Sequence, residues 1–184
     1  MNLRLIGKEV PNERRTLMQL QTLEDLFQHE VSDLYSAETQ LVAALPKMAQ
    51  AASNGELRGA FEQHLQETRD HVRRLEDIRG QIGSSIAEEC EGMRGLIEEA
   101  QEIVSAGGDP VVKDAALIAG AQRVEHYEIS AYGTARTLAD ELGLDDAKDL
   151  LDQTLDEESN ADKLLTKIAT GGMFKAGVNK QARR

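Results

Sequence analysis

The sequence has no tryptophan, a single cysteine, three prolines and only 3% aromatic residues in 184. Cys90 has no partner within the chain, so an internal disulfide is excluded. Few prolines leave long stretches without helix breakers, and few aromatics mean an aliphatic core, a balance that favours helix over sheet. No apolar run approaches the roughly 18 residues of a membrane span. The opening residues, MNLRLIGKEVPNERR, lack the apolar stretch of a secretory signal, so a reducing cytoplasm is the expected setting. The length suits one domain with a real hydrophobic core.

Positive charge is scarce except at the two ends. Residues 1–18 balance to +2 and residues 167–184 to +5, leaving −19 on the body within the net −12. An acidic body repels phosphate backbones, which argues against nucleic acid as a partner. The tail GGMFKAGVNKQARR reads as a basic, flexible extension. The expected division is an N-terminal extension over 1–18, a helical domain over 19–170 and this tail over 171–184.

Apolar periodicity marks four long helices and one shorter one. The first opens at Thr22, a good N-cap, and carries Leu23, Leu26, Phe27, Leu34, Leu41 and Leu45 to about Ala52, with a kink expected at Pro46. Ser53, Asn54 and Gly55 form a short turn, which makes the second helix (Leu57, Phe61, Leu65, Val72, Leu75, Ile78) its antiparallel neighbour. Residues 83–109 are too long for a hairpin and contain a short helix, EECEGMRGLIEEAQEIV. Asp109 and Pro110 start a third long helix that Gly143 stops, and Asp145 or Asp146 opens a fourth that ends at Gly171 and Gly172. Two helical hairpins joined by a long crossover predict an all-α, ferritin-like four-helix bundle.

The halves also repeat weakly. A shift of 90 residues lays Leu34 on Val124, Phe61 on Leu151, Leu75 on Leu165 and Ile78 on Ile168, and brings the turns into register. Glu38 falls on Glu128, and Glu67 on Glu157. Amphipathic helices stay in phase at this offset, because 90 is a whole number of turns at about 3.6 residues each, but phase alone does not align the turns.

These glutamates bear on chemistry. Glu38 lies four residues after Leu34 and three before Leu41, and Glu128 is placed likewise between Val124 and Ala131, so both face inward. Two-metal carboxylate bundles take one Glu from each of two helices and a Glu-x-x-His pair from each of the other two. The second helix carries His64, Glu67 and His71, and the fourth carries Glu157, Glu158 and Asp162 with no His, so neither has that pair. The expected site is therefore oxygen-rich, which suits iron or manganese. Buried hydrogen bonds with Tyr35, Tyr127, Tyr132, His64 or Arg123 are the competing explanation for inward carboxylates.

The strings DLYSAE (33–38), ALPKMA (44–49), HLQET (64–68), AALIAGAQRVEHYEISAYGTA (115–135) and TLDEESNADKLLTKIA (154–169) resemble the YciF-like stress proteins of the ferritin-like superfamily. The likeness spans about residues 20 to 170. It implies a bacterial stress-induced helical protein, usually dimeric, with a metal site of unsettled activity. By position it implies Glu38, His64, Glu67, Glu125, Glu128, Glu158 and Asp162 as site residues. His71 stands where the family often has Gln, which argues against an essential role. The internal repeat selects Glu157 on the fourth helix, whereas the 33-residue step from Glu125 selects Glu158.

Other chemistries find little support. Cys90 sits among Glu88, Glu89 and Glu91, which disfavours a thiolate. No phosphate-binding glycine loop is present, and His29 and His126 read as surface partners of neighbouring acids. The expected function is a stress-associated protein with a di-iron or di-manganese site that reacts with peroxide or oxygen. The alternative is a non-enzymatic stress or assembly protein whose scaffold has no functional metal. A homodimer is expected, from the resemblance and from the apolar stripe Met93, Leu96, Ile97, Ile103 and Val104 of the crossover helix.

Overall fold

The computed structural model describes residues 20–84, 88–172 and 175–183, so the N-terminal extension lies outside the described residues. Helix α1 spans Leu23–Ala51 and begins with a reciprocal capping box, in which Thr22 accepts from the Asp25 amide and Asp25 accepts from the Thr22 amide. It runs without interruption through Pro46. Helix α2, Gly55–Ile82, starts at Asn54, whose side chain accepts from the Glu56 and Leu57 amides. Helix α3, Glu91–Ser105, lies in the crossover and begins at Cys90.

Helix α4, Pro110–Glu141, is capped by Asp109 and stops at Gly143, where φ is +68°. The Leu144 amide closes back on the Ala139 carbonyl at 2.9 Å, which satisfies one of the last open acceptors. Helix α5, Asp145–Thr170, has no side-chain cap, but Asp145 and Asp146 set negative charge at its N-terminus.

Helices α1 and α2 pack along their lengths as one hairpin and α4 and α5 as the other, giving the expected bundle. The hairpins meet more sparingly, α1 against α4 and α2 against α5, and α3 covers the first of these seams. The apolar stripe of α3 is used there: Met93, Ile97 and Ala100 are buried, and Leu96, Ile103 and Val104 pack on the same cluster. That stripe is therefore not a free face for a second copy.

The segment after α5, read from sequence as a flexible tail, folds back on the bundle where it is described. Gly171 pairs with Ala176 in an isolated bridge, and a short helix α6, Val178–Gln181, buries Val178 against α4 and α5. Gly171, at φ +77°, and Gly177 meet backbone to backbone, and a β-carbon on either would strike the other strand of the loop. The apolar signal for this docking is a single valine, too little to register as a periodic pattern.

The core has two apolar clusters. One joins Leu41, Leu45, Leu57, Phe61, Leu117 and Leu165. The other joins Phe27, Leu34, Leu75, Ile78, Tyr132 and Leu151. Where the two clusters meet, the buried residues include Glu38, His64, His71, Glu125, Glu128 and Glu158, which form a charged layer across the bundle.

Candidate metal centre

Every long helix contributes to that layer. Helix α1 supplies Glu38, α2 supplies His64 and His71, α4 supplies Glu125 and Glu128, and α5 supplies Glu158; all six are buried. One donor atom from each of His64, Glu125, Glu128 and Glu158 lies within 4.8 Å of every other, and the same holds for Glu38, His71 and Glu158. Glu158 belongs to both groups. Its Oε2 faces His64 Nε2 at 3.6 Å, and its Oε1 faces His71 Nδ1 at 2.9 Å.

The total is four carboxylates and two imidazoles, the same donor set as the two-metal template. Its distribution differs. Both histidines come from α2, two helical turns apart, and α4 offers Glu-x-x-Glu. The missing His of α5 is thus made good by His71, which the sequence reading discounted.

Most of the donor atoms have no hydrogen bond. Both oxygens of Glu128 and of Glu158, both nitrogens of His64, His71 Nδ1, Glu38 Oε2 and Glu125 Oε2 are buried and unpartnered. His71 Nδ1 is close to Glu158 and, at 3.2 Å, to Glu38 Oε1, yet is aligned for a hydrogen bond with neither. Buried atoms of this kind are costly unless a cation or a proton satisfies them. Two divalent cations match four carboxylates in charge, so the residues fit such a pair.

Without a cation, protons take that role. Burial pushes the carboxyls of Glu38, Glu125 and Glu128 above their usual range, and the neighbouring acids add to this for Glu125 and Glu128. Glu158 is held below it despite its burial, by the two imidazoles it faces, His71 and His64. Burial disfavours the charged imidazoles, but Glu125 and its neighbours push His64 up to about 10. Glu158 and Glu38 likewise push His71 up to about 11 against its burial.

The remaining sequence candidates lie outside the two groups. Glu67 sits at the rim, bonded to Gln63 and 3.5 Å from His64 Nδ1. Glu157 is taken by Arg74, whose guanidinium reaches its two oxygens at 2.6 and 3.0 Å. That bond holds its carboxyl down at about 2 although partial burial acts the other way. Asp162 accepts from Gln122 at 2.9 Å and lies 3.4 Å from the exposed His126, not in the layer. Of the proposed hydrogen-bond partners, Tyr132 donates to Glu38 Oε1 at 2.6 Å, whereas Tyr35 bonds Glu76 and Tyr127 bonds Asp33.

A cleft of about 250 Å³ between α2 and α5 opens onto the layer, lined by Phe61, His64, Glu67, Glu125 and Leu164 among others. Cys90 lies away from it, buried between Asp33 and Tyr127, and burial pushes its thiol up, as an unreactive cysteine requires. No helix among the described residues is long and apolar enough to cross a membrane.

Comparison with known proteins places this architecture. Protein YciF of Escherichia coli K12 is 46% identical over 165 residues, 89% of this chain and 99% of YciF. The crystal structure of that E. coli stress protein superposes with a TM-score of 0.78 at 43% identity, covering 90% of this chain and all of the other. YcfI of Rhodopseudomonas palustris gives the same TM-score at 40% identity over 84% of this chain and 98% of its own. A protein of Xanthomonas campestris pv. campestris, 18% identical with a TM-score of 0.64, shares the fold. The model of DUF892, described as a domain of unknown function, matches residues 22–182, and the chain belongs to that family as a homologue of YciF.

Proposed function

We propose that the charged layer holds two divalent cations, iron or manganese, and that the protein acts in stress, as the name stress protein says of its YciF relative. The observation that carries this reading is the donor set: four carboxylates and two imidazoles, buried, convergent and mostly without hydrogen bonds. Glu158 lies between the two positions. Glu38 and His71 complete one, and His64, Glu125 and Glu128 complete the other. Two redox-active cations held by these residues would supply the electrons that reduce peroxide or oxygen.

The chain's own residues prepare for that chemistry. Tyr132 donates its hydroxyl hydrogen to Glu38 Oε1 and fixes that carboxylate, while the apolar clusters pack the bundle on either side of the layer. The α2–α5 cleft admits small solutes to the His64 side.

Metal analysis of protein purified without chelator tests the reading, beside Glu38→Ala and Glu128→Ala. The expected result is about two ions per chain, falling in both variants. A content below about one ion per two chains, unchanged by either substitution, supports instead the metal-free scaffold, in which protonated His64 and His71 balance the layer.

A further inference from the structure

The two nitrogens of His71 are held unequally. Nε2 lies 2.9 Å from Glu157 Oε2, in hydrogen-bond geometry, whereas Nδ1 faces Glu38 and Glu158 with no hydrogen bond. Glu157 is in turn immobilised. Arg74 spans its two oxygens at 2.6 and 3.0 Å, Gln153 reaches Oε1 at 3.2 Å, and Arg74 is steadied by Thr154 at 2.9 Å. A carboxylate gripped at both oxygens by one guanidinium accepts hydrogen bonds and donates none. The His71 nitrogen facing it must therefore carry the hydrogen, which in a neutral ring leaves the lone pair on Nδ1, where Glu38 and Glu158 converge.

His64 has no such support. Its Nδ1 stands 3.5 Å from Glu67, its Nε2 stands 3.6 Å from both Glu125 and Glu158, and neither nitrogen is hydrogen-bonded. It also lines the α2–α5 cleft, as His71 does not. One imidazole is thus preset and enclosed, and the other is unpinned and next to solvent.

We propose that Glu157, clamped by Arg74, is a positioning residue that locks His71 with Nδ1 toward Glu38 and Glu158, making the two cation positions unequal. The Glu38–His71–Glu158 position binds the tighter, slowly exchanging ion. The His64–Glu125–Glu128–Glu158 position at the cleft binds the exchangeable one. This inference rests on the metal reading above. Its basis is general: a carboxylate behind a ligating histidine fixes the ring's tautomer and orientation, and its loss costs about 10- to 100-fold in metal affinity.

Co²⁺ titration of the chelator-stripped full chain, followed by visible absorption and equilibrium dialysis, tests it. The wild type is expected to show two unequal affinities. Glu157→Gln is expected to weaken the tighter one by about 10- to 100-fold and leave the weaker one unchanged, while Glu67→Gln leaves the tighter one unchanged. Uptake with two equal affinities, or an equal loss at both positions in Glu157→Gln, overturns this proposal alone. Failure to take up Co²⁺ overturns the metal reading and this proposal with it. Nitrogen-15 spectra of histidine-labelled wild type loaded with Zn²⁺ give a readout that does not depend on any variant's stability. His71, one of only four histidines, is expected to show a protonated Nε2 and a metal-shifted Nδ1, and the reverse pattern refutes the lock.

Discussion

Asp114 and Glu128 are both buried carboxylates on α4, and the protein treats them in opposite ways. Asp114 sits under the α1–α2 turn and accepts three hydrogen bonds, from the Ser53 amide at 2.8 Å, the Ser53 hydroxyl at 2.6 Å and the Asn54 amide at 2.9 Å. Glu128, in the charged layer, has a hydrogen bond at neither oxygen and faces the charges of Glu38, Glu158 and Glu125. A fold that satisfies one buried acid so fully has no general difficulty in doing so. The difference marks Asp114 as a tie between elements and Glu128 as a group that only a proton or a cation would satisfy.

Substitution of each should separate the two roles. Asp114→Ala leaves three donors of the turn without their acceptor and is expected to cost about 3 kcal/mol, equally with and without metal, in urea denaturation. A loss under about 0.5 kcal/mol, the size of an ordinary surface change, would show that the turn does not depend on it. Glu128→Leu works in the other direction. Replacing an unsatisfied buried acid by an apolar side chain is expected to raise the stability of chelator-treated protein by about 1–2 kcal/mol and to abolish the stabilisation that added Mn²⁺ gives the wild type. Destabilisation of the metal-free variant would mean that Glu128 is satisfied in a way its geometry does not reveal.

A smaller effect should appear in the pH dependence. Folded Glu38, Glu125 and Glu128 keep protons that the unfolded chain releases near 4.5, and His64 and His71 keep theirs to about 10 and 11 against 6.5 unfolded. The native state then binds the extra protons, so the stability these groups contribute is lost as pH rises. Glu157, lowered to about 2, has the opposite sign, but its contribution is already complete above its unfolded value near 4.5. In EDTA the Tm should therefore fall from pH 5 to pH 9. With Mn²⁺ the stabilisation should grow over the same range, because ligation requires deprotonated groups. Parallel curves under the two conditions would remove the link between the layer's protons and metal.

Most of the fold was readable because it depends on local signals. Thr22, Asn54 and Asp109 cap their helices as their chemistry dictates, and the length of residues 83–109 implied a crossover. The site was readable only in part, and the internal repeat shows why. The 90-residue shift is geometrically sound: Glu67 and Glu157 do occupy equivalent places, with side chains 30% and 28% exposed. The repeat thus pairs two partly exposed glutamates at the rim of the layer. The buried equivalents are one step on, Thr68 and Glu158, and only one of those is a carboxylate. Helical phase resolves a face to within about one residue, which does not suffice to choose between adjacent glutamates. The role of His71 was illegible for a different reason. Its partner Glu157 is 86 residues away, and nothing in the spacing announces that the two meet or that Arg74 clamps that carboxylate.

The tie at Asp114 also bears on how the molecule assembles. Three hydrogen bonds of the turn between the first two helices end on a residue 60 and 61 positions further along the chain, so the turn is fully satisfied only once the third long helix arrives. Such a turn belongs to the late, non-local part of folding, and its closure couples the two hairpins into one cooperative unit. Ser53→Ala should accordingly speed unfolding and leave the refolding rate nearly unchanged, the signature of a contact absent from the transition state, whereas slowed refolding would place the turn in the nucleus.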